Sequence, residues 1–74
     1  MKKQPTNQQL HKLLELYKNK KFKDLEKLTL NFIEEFQDHP FVWKIRGLTL
    51  KQNGKLSEAL FANKKVLKIT PQDY

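Results

Sequence analysis

The sequence predicts an all-α fold of two antiparallel helical hairpins in tandem, and three observations carry that expectation. Apolar residues recur with helical periodicity in four separate segments. No segment alternates apolar and polar residues over the length of a strand, which disfavours a sheet. The 2 glycines and 3 prolines, the strongest breakers of regular structure, are spaced so that short connections join four helices. Connections of about three to five residues make successive helices antiparallel neighbours.

The first helix is expected over residues 7 to 18. Thr6 followed by Gln9 has the spacing of a capping box, and behind it Leu10, Leu13, Leu14 and Tyr17 repeat on one helical face. A turn at Lys18 to Lys21 follows, with Asn19 as the residue that takes a left-handed backbone at low cost. Phe22, Leu25, Leu28, Phe32 and Phe36 then place a second helix over residues 23 to 36. Gln37-Asp38-His39-Pro40 breaks that pattern, since an acidic residue suits a helix N-terminus and proline is tolerated in a first turn. The third helix is expected to run to about Gln52, where Asn53-Gly54 is the strongest turn signal and Gly54 suits the left-handed cap position. Ser57 is the expected cap of a fourth helix, which carries Leu56, Ala59, Leu60, Val66 and Leu67 and stops before Pro71.

A chain of 74 residues makes one small domain, which buries only about 60% of the surface its unfolded form exposes. With no cysteine there is no disulfide framework, so apolar packing must supply the stability. Twelve leucines and eight aromatic residues are too many for a disordered tail. Fifteen basic against 8 acidic residues give a net charge of +7 and a pI near 9.8. No apolar run approaches the roughly 18 to 20 residues that cross a bilayer, and residues 1 to 9 lack the apolar stretch of a secretory signal. The expectation is a soluble chain in the cytoplasm with no membrane partner.

A shift of 34 positions pairs Phe22 with Leu56, Asp24 with Glu58, Leu16 with Leu50 and Ile33 with Leu67, which divides the chain into units of about 6–39 and 40–73. The second unit also carries Trp43, Gly47, Ala59 and Pro71, with Gly54 at its turn. In that combination residues 40 to 73 resemble the tetratricopeptide repeat, whose period is 34 residues. Residues 6 to 39 match by period, with Leu13 and Leu25 standing where the family has small residues. In the second unit Arg46 stands where leucine is usual, Leu50 where tyrosine is usual, and Asn63 and Val66 where an aromatic and a small residue are usual. The resemblance implies hairpins that bury their apolar faces by stacking, and a protein-interaction role in which Trp43, Gly47, Gly54, Ala59 and Pro71 are structural. The stretch from Phe36 to Trp43 leading into Gly47 also resembles the repeats that precede transferase domains in bacterial multidomain proteins.

Chemistry is sparse. His11 and His39, the only histidines, form no pair, and the neighbours Glu34 and Glu35 point about 100° apart on a helix. No spacing suits a metal, no glycine-rich loop suits a phosphate and no nucleophile lies beside a base. The expectation is a protein without catalytic activity, metal or cofactor. Lys18, Lys20, Lys21, Lys23 and Lys27 cluster around the first turn, which makes nucleic-acid binding the alternative function. Glu15, Asp24 and Glu26 are interleaved with them, and a solvated lysine face is the favoured account.

The third helix is apolar on two sides, with Phe41, Ile45 and Leu48 on one and Trp43, Gly47 and Leu50 on the other, as befits a helix packed on both neighbours. Trp43 is expected in the core of its own hairpin. The resemblance adds that Leu10, Leu14 and Tyr17, with Phe41, Lys44 and Leu48, would line the concave groove in which the family holds extended or helical peptides. Leu14 and Leu48 stand where the family's chaperone-tail binders need asparagine, so that specialised role is not expected.

On the fourth helix Leu56, Leu60 and Leu67 are expected to face the hairpin partner. Ala62, Val66 and Ile69 fall within an arc of about 60° on the side where a further helix would lie, with Phe61 further round. Pro71 to Tyr74 fall where a third unit would begin. Either a longer chain or a second copy, paired as a homodimer through Phe61, Ala62, Val66 and Ile69, is therefore expected to cover that face.

Overall fold

The first helix starts where a reciprocal pair of hydrogen bonds allows it to. Thr6 Oγ1 accepts from the Gln9 amide at 3.1 Å and Gln9 Oε1 accepts from the Thr6 amide at 2.8 Å, so a capping box satisfies two backbone donors ahead of α1 (Asn7–Lys18). The computed structural model describes residues 4–70, and beyond α1 it contains α2 (Phe22–Glu35), α3 (Pro40–Gln52) and α4 (Leu56–Ile69). Among the described residues there is no strand. The chain is all α, two helical hairpins in tandem.

The two hairpin turns close in the same way. After α1 the amide of Lys20 donates to Tyr17 O at 3.1 Å and that of Lys21 to Leu16 O at 2.9 Å. After α3 the amide of Gly54 donates to Lys51 O at 3.1 Å and that of Lys55 to Leu50 O at 2.8 Å. Both are Schellman closures, which place the left-handed residue one position past the cap. That residue is Lys20 (φ 58°) in the first turn and Gly54 (φ 77°) in the second. Asn19, expected to be left-handed, is the cap itself at φ −86°.

The period extends through the second helix of each hairpin. Phe22 and Leu56, the first residues of α2 and α4, lie 34 positions apart, as do their last residues Glu35 and Ile69. The caps Lys21 (φ −89°, ψ 62°) and Lys55 (φ −96°, ψ 70°) share one backbone conformation. Lys55 also displaces Ser57 from its expected capping role. Its carbonyl accepts from the Ala59 amide at 2.9 Å, so the helical ladder begins two residues before Ser57. Pro40 opens α3, where its missing amide costs nothing.

Each helix packs on its chain neighbours and α1 also touches α3, while α4 packs chiefly on α3, with Ile33 of α2 reaching the same cluster. Two apolar clusters result. Leu13, Leu25, Phe32, Phe36, Val42 and Ile45 fill the space among α1, α2 and α3, where each fully buried aliphatic side chain contributes about 1.5–3 kcal/mol. Trp43, Leu50, Ala59 and Ala62 form the second, between α3 and α4. α3 serves both clusters, as its two apolar sides predict, except that Leu48 remains exposed. Trp43 is core as expected, and its Nε1 donates to the Gln37 carbonyl at 2.7 Å.

The orientation of α4 corrects the sequence expectation. Leu56, Leu60 and Leu67 are 60%, 60% and 43% exposed and face solvent, whereas Ala59 and Ala62 are buried and Val66 and Ile69 pack behind them. The cause is close approach. A Cβ on Gly47 would lie 3.5 Å from Ala62 Cβ and 2.5 Å from Asn63 Oδ1, so only small residues fit where α3 and α4 cross. Gly47 thus meets Ala62 and Asn63, and Ala62 belongs to the core instead of an open face. Phe61 stays exposed, its ring edge-on to Trp43 with centroids 6.1 Å apart. Pro71 lies outside the described residues.

Candidate functional site

The residues expected to line a concave groove divide into two groups. Leu10, Leu14, Tyr17 and Phe41 are half-buried and pack against the first core cluster, with Tyr17 edge-on to Phe22 at 5.6 Å. Lys44 and Leu48 are exposed. Phe41 and Lys44 open instead toward α4, where with Pro40, Asn63, Val66, Leu67 and Thr70 they line a concavity of about 420 Å³.

That concavity belongs to a longer face. At about 100° per residue, Phe41, Lys44, Leu48 and Lys51 share one side of α3, and Leu56, Leu60, Asn63 and Leu67 share one side of α4. Phe41 and Lys44 of the first stripe and Asn63 and Leu67 of the second line the concavity, and Leu48, Lys51, Leu56 and Leu60 continue the two stripes beyond it. The apolar components are Phe41, Leu48, Leu56, Leu60 and Leu67, while Lys44 and Lys51 share the α3 stripe and Lys64 flanks that of α4. The opposite side of the hairpin differs in character. There a notch of about 220 Å³ is lined by Trp43, Arg46, Leu50, Glu58 and Phe61, with Ile33 and Ala62. Glu58 is the single carboxylate of α3 and α4 together.

Leu48 is among the residues expected to line a groove, whereas Leu56, Leu60 and Leu67 are not, because hydrophobicity alone places the largest apolar residues of α4 on its core side. The signal that finds them is the pair Ala59 and Ala62, which match the crossing at Gly47 in size.

The lysines of the first turn sit at the end of the molecule where both hairpin turns meet. Asn53 Nδ2 donates to Phe22 O at 3.1 Å and to Glu26 Oε1 at 2.8 Å, and Lys55 Nζ lies 2.6 Å from Glu26 Oε2. Lys20, Lys21 and Lys23 border one depression with Asn53, while Lys23, Lys27 and Lys55 border another, and Lys18 and Lys51 stand in the last turns of α1 and α3 that lead into these turns. Arg46, almost fully buried, donates through Nη1 to Glu26 O at 3.0 Å and to Thr29 Oγ1 at 3.2 Å. The hydrogen bond from Lys55 holds the Glu26 carboxyl below its ordinary value of 4.5; burial opposes this, and Asn53 and the positive charges of Lys55 and Arg46 add to it. Glu26 in turn raises Lys55 above 10.5, first through the hydrogen bond and then through its charge. Glu26 and its partners are thus the bracket that joins the second hairpin to the first.

His11 is exposed on α1, and His39 caps α3 with its Nδ1 buried and without a hydrogen-bond partner. Glu34 and Glu35 are exposed near the end of α2. Among the described residues no three of His, Asp or Glu come together in a way that could hold a metal ion, and no helix is long and apolar enough to cross a membrane. Comparison of the chain with protein-family models, curated proteins and solved structures finds no match.

Proposed function

We infer that the chain is a non-catalytic protein-interaction module, built as two tetratricopeptide-like hairpins, that binds a polypeptide on the outer face of its second hairpin. The recurrence of helix starts, helix ends and turn closures at 34 positions supports the repeat assignment. One observation carries the functional reading. Leu56, Leu60 and Leu67 are exposed along one side of α4, and such an apolar stripe on a small, otherwise charged domain marks an interaction surface. A following repeat, or a second copy in a homodimer, would occupy the same face. So would a peptide, and all three belong to the one class of function. A place beside the transferase domain of a multidomain protein is compatible with it.

A display selection of random peptides on the immobilised chain tests this. Binders are expected whose affinity falls by at least about tenfold when Leu60 and Leu67 are changed to serine, with helicity unchanged. Binders indifferent to that change, or none at all, would count against the α4 face.

A second reading draws on the seven lysines gathered where the hairpin turns meet. Duplex DNA or RNA bound there would lose affinity by orders of magnitude between low and physiological salt. The commitment of Lys55 to Glu26 at 2.6 Å gives part of that charge a structural role and makes this the weaker alternative.

A further inference from the structure

Resting on the interaction reading above, we propose that the groove between α3 and α4 receives an acidic amphipathic helix of a partner protein, leucine-like residues inward and carboxylates toward Lys44, Lys51 and Lys64. The apolar part is set by geometry. Leu56, Leu60 and Leu67 follow one another at helical spacing along α4, and Leu67 continues into the concavity with Phe41 and Val66. A partner helix laid along such a stripe places its own i, i+3, i+4 and i+7 residues against it. The 14 residues of α4 provide a track about 20 Å long, or about four turns.

Charge selects the occupant. α3 contains no acidic residue, and the one acid of α4, Glu58, lies with Trp43, Arg46 and Phe61 on the other side of the hairpin. The face therefore carries lysine on both helices, Lys44 within the concavity, Lys51 on the same side of α3 and Lys64 beside Leu60 on α4, with no carboxylate to neutralise them from within those helices. Two copies of this chain meeting groove to groove would set Lys44, Lys51 and Lys64 against their equivalents, each copy carrying a net charge of +7. Like charges placed opposite one another oppose association, whereas an acidic partner is drawn in and oriented. The same argument disfavours a basic or neutral helix of equal hydrophobicity.

The probe is a display library of helical peptides with leucine at i, i+3, i+4 and i+7, and with Glu, Lys, Gln and Ser randomised at the flanking positions. Selection on the whole chain at moderate salt is expected to enrich glutamate at those positions. Binding of the selected peptides should weaken at least roughly tenfold in a Leu60→Ser, Leu67→Ser variant of unchanged helicity. A Lys44→Glu, Lys64→Glu variant should reverse the preference and select lysine. Flanking positions left at library composition, or enriched in lysine, would overturn the acidic partner while leaving the interaction reading in place. Enriched peptides unaffected by the leucine changes, or no binders, would overturn the site. Light scattering that shows a dimer at tens of micromolar, lost on Leu60→Ser, would assign the groove to a second copy and overturn the proposal.

Discussion

Arg46 and Thr29 stand 17 positions apart in the chain and meet in the interior, guanidinium Nη1 to hydroxyl Oγ1, at 3.2 Å. The same nitrogen reaches the Glu26 carbonyl at 3.0 Å, one turn earlier on α2. One side chain therefore joins the first helix of the second hairpin to the second helix of the first. Truncation should be costly. Arg46→Ala removes a long buried stem together with its hydrogen bonds and should lower stability by about 2–4 kcal/mol. Arg46→Leu, which refills the volume and leaves the Thr29 hydroxyl bonded to Glu26 O at 3.1 Å, should cost less than about 1.5 kcal/mol. Urea unfolding followed by helical circular dichroism measures both. An alanine variant as stable as the leucine one would show that Arg46 does not fasten the hairpins.

The crossing of α3 over α4 depends on Gly47. A single methyl there meets the mobile end of Asn63, and alanine also gains helix propensity of about 1 kcal/mol, so Gly47→Ala should be nearly neutral. Gly47→Leu cannot be accommodated against Ala62 and should cost about 1–3 kcal/mol. The reversed face of α4 gives the matching pair. Ala62→Leu should destabilise by a similar amount, while Leu60→Ser on the solvent side should change stability by no more than about 0.5 kcal/mol. If the serine variant proves the worse of the two, the orientation of α4 is wrong.

Legibility followed sequence distance. The bounds of α1 were visible in Thr6, Gln9 and the leucine stripe, because a cap and a helical period are properties of neighbouring residues. Gly54 announced its turn for the same reason. The turn at Lys18 to Lys21 is legible too, but not its left-handed residue, since lysine has no preference for that backbone and Lys20 adopts it where Leu16 and Tyr17 accept the closing hydrogen bonds. On α4 the large leucines outweighed the small alanines in any hydrophobic count, yet the crossing selects by size. The bracket at Glu26 joins residues 20, 27 and 29 positions away, Arg46, Asn53 and Lys55, and nothing in the local sequence of any of them implies it. Of the expected groove, the α3 half lies open beside α4 and the α1 half packs on the core.

Leu14 and Leu48 separate those halves experimentally. Leu14 packs against the first core cluster, so Leu14→Glu should cost about 1–3 kcal/mol and lower the urea midpoint. Leu48 is exposed, and Leu48→Glu should leave the midpoint within about 0.5 kcal/mol of the parent while abolishing peptide capture in the groove. Equal destabilisation by both would make Leu48 a core residue and leave the groove without its α3 wall.

The pH dependence of stability isolates Glu26. Its carboxyl titrates below 4.5 in the folded chain because Lys55, and then Asn53 and Arg46, favour the ionised form more than burial disfavours it. A group whose pKa is depressed by folding stabilises the folded state fully above its unfolded pKa. That contribution disappears as pH falls below 4.5 and through the folded value. Lys55 behaves with the opposite sign: raised above 10.5, it contributes below that pH and the contribution is lost only in stronger alkali. Every carboxylate perturbed by folding bends the acid limb, so the comparison must be with Glu26→Gln, which keeps the shape and removes the titration. Unfolding free energies measured by urea at a series of pH values from about 6 to 3 should show the parent losing its advantage over Glu26→Gln across that window. In a Lys55→Met background the advantage should already be smaller at neutral pH, and its decline shallower, because the principal cause of the shift has gone. Parallel curves for parent and Glu26→Gln throughout would mean that the carboxylate contributes no charge-dependent stability, and that the bracket rests on Arg46 and Asn53 alone.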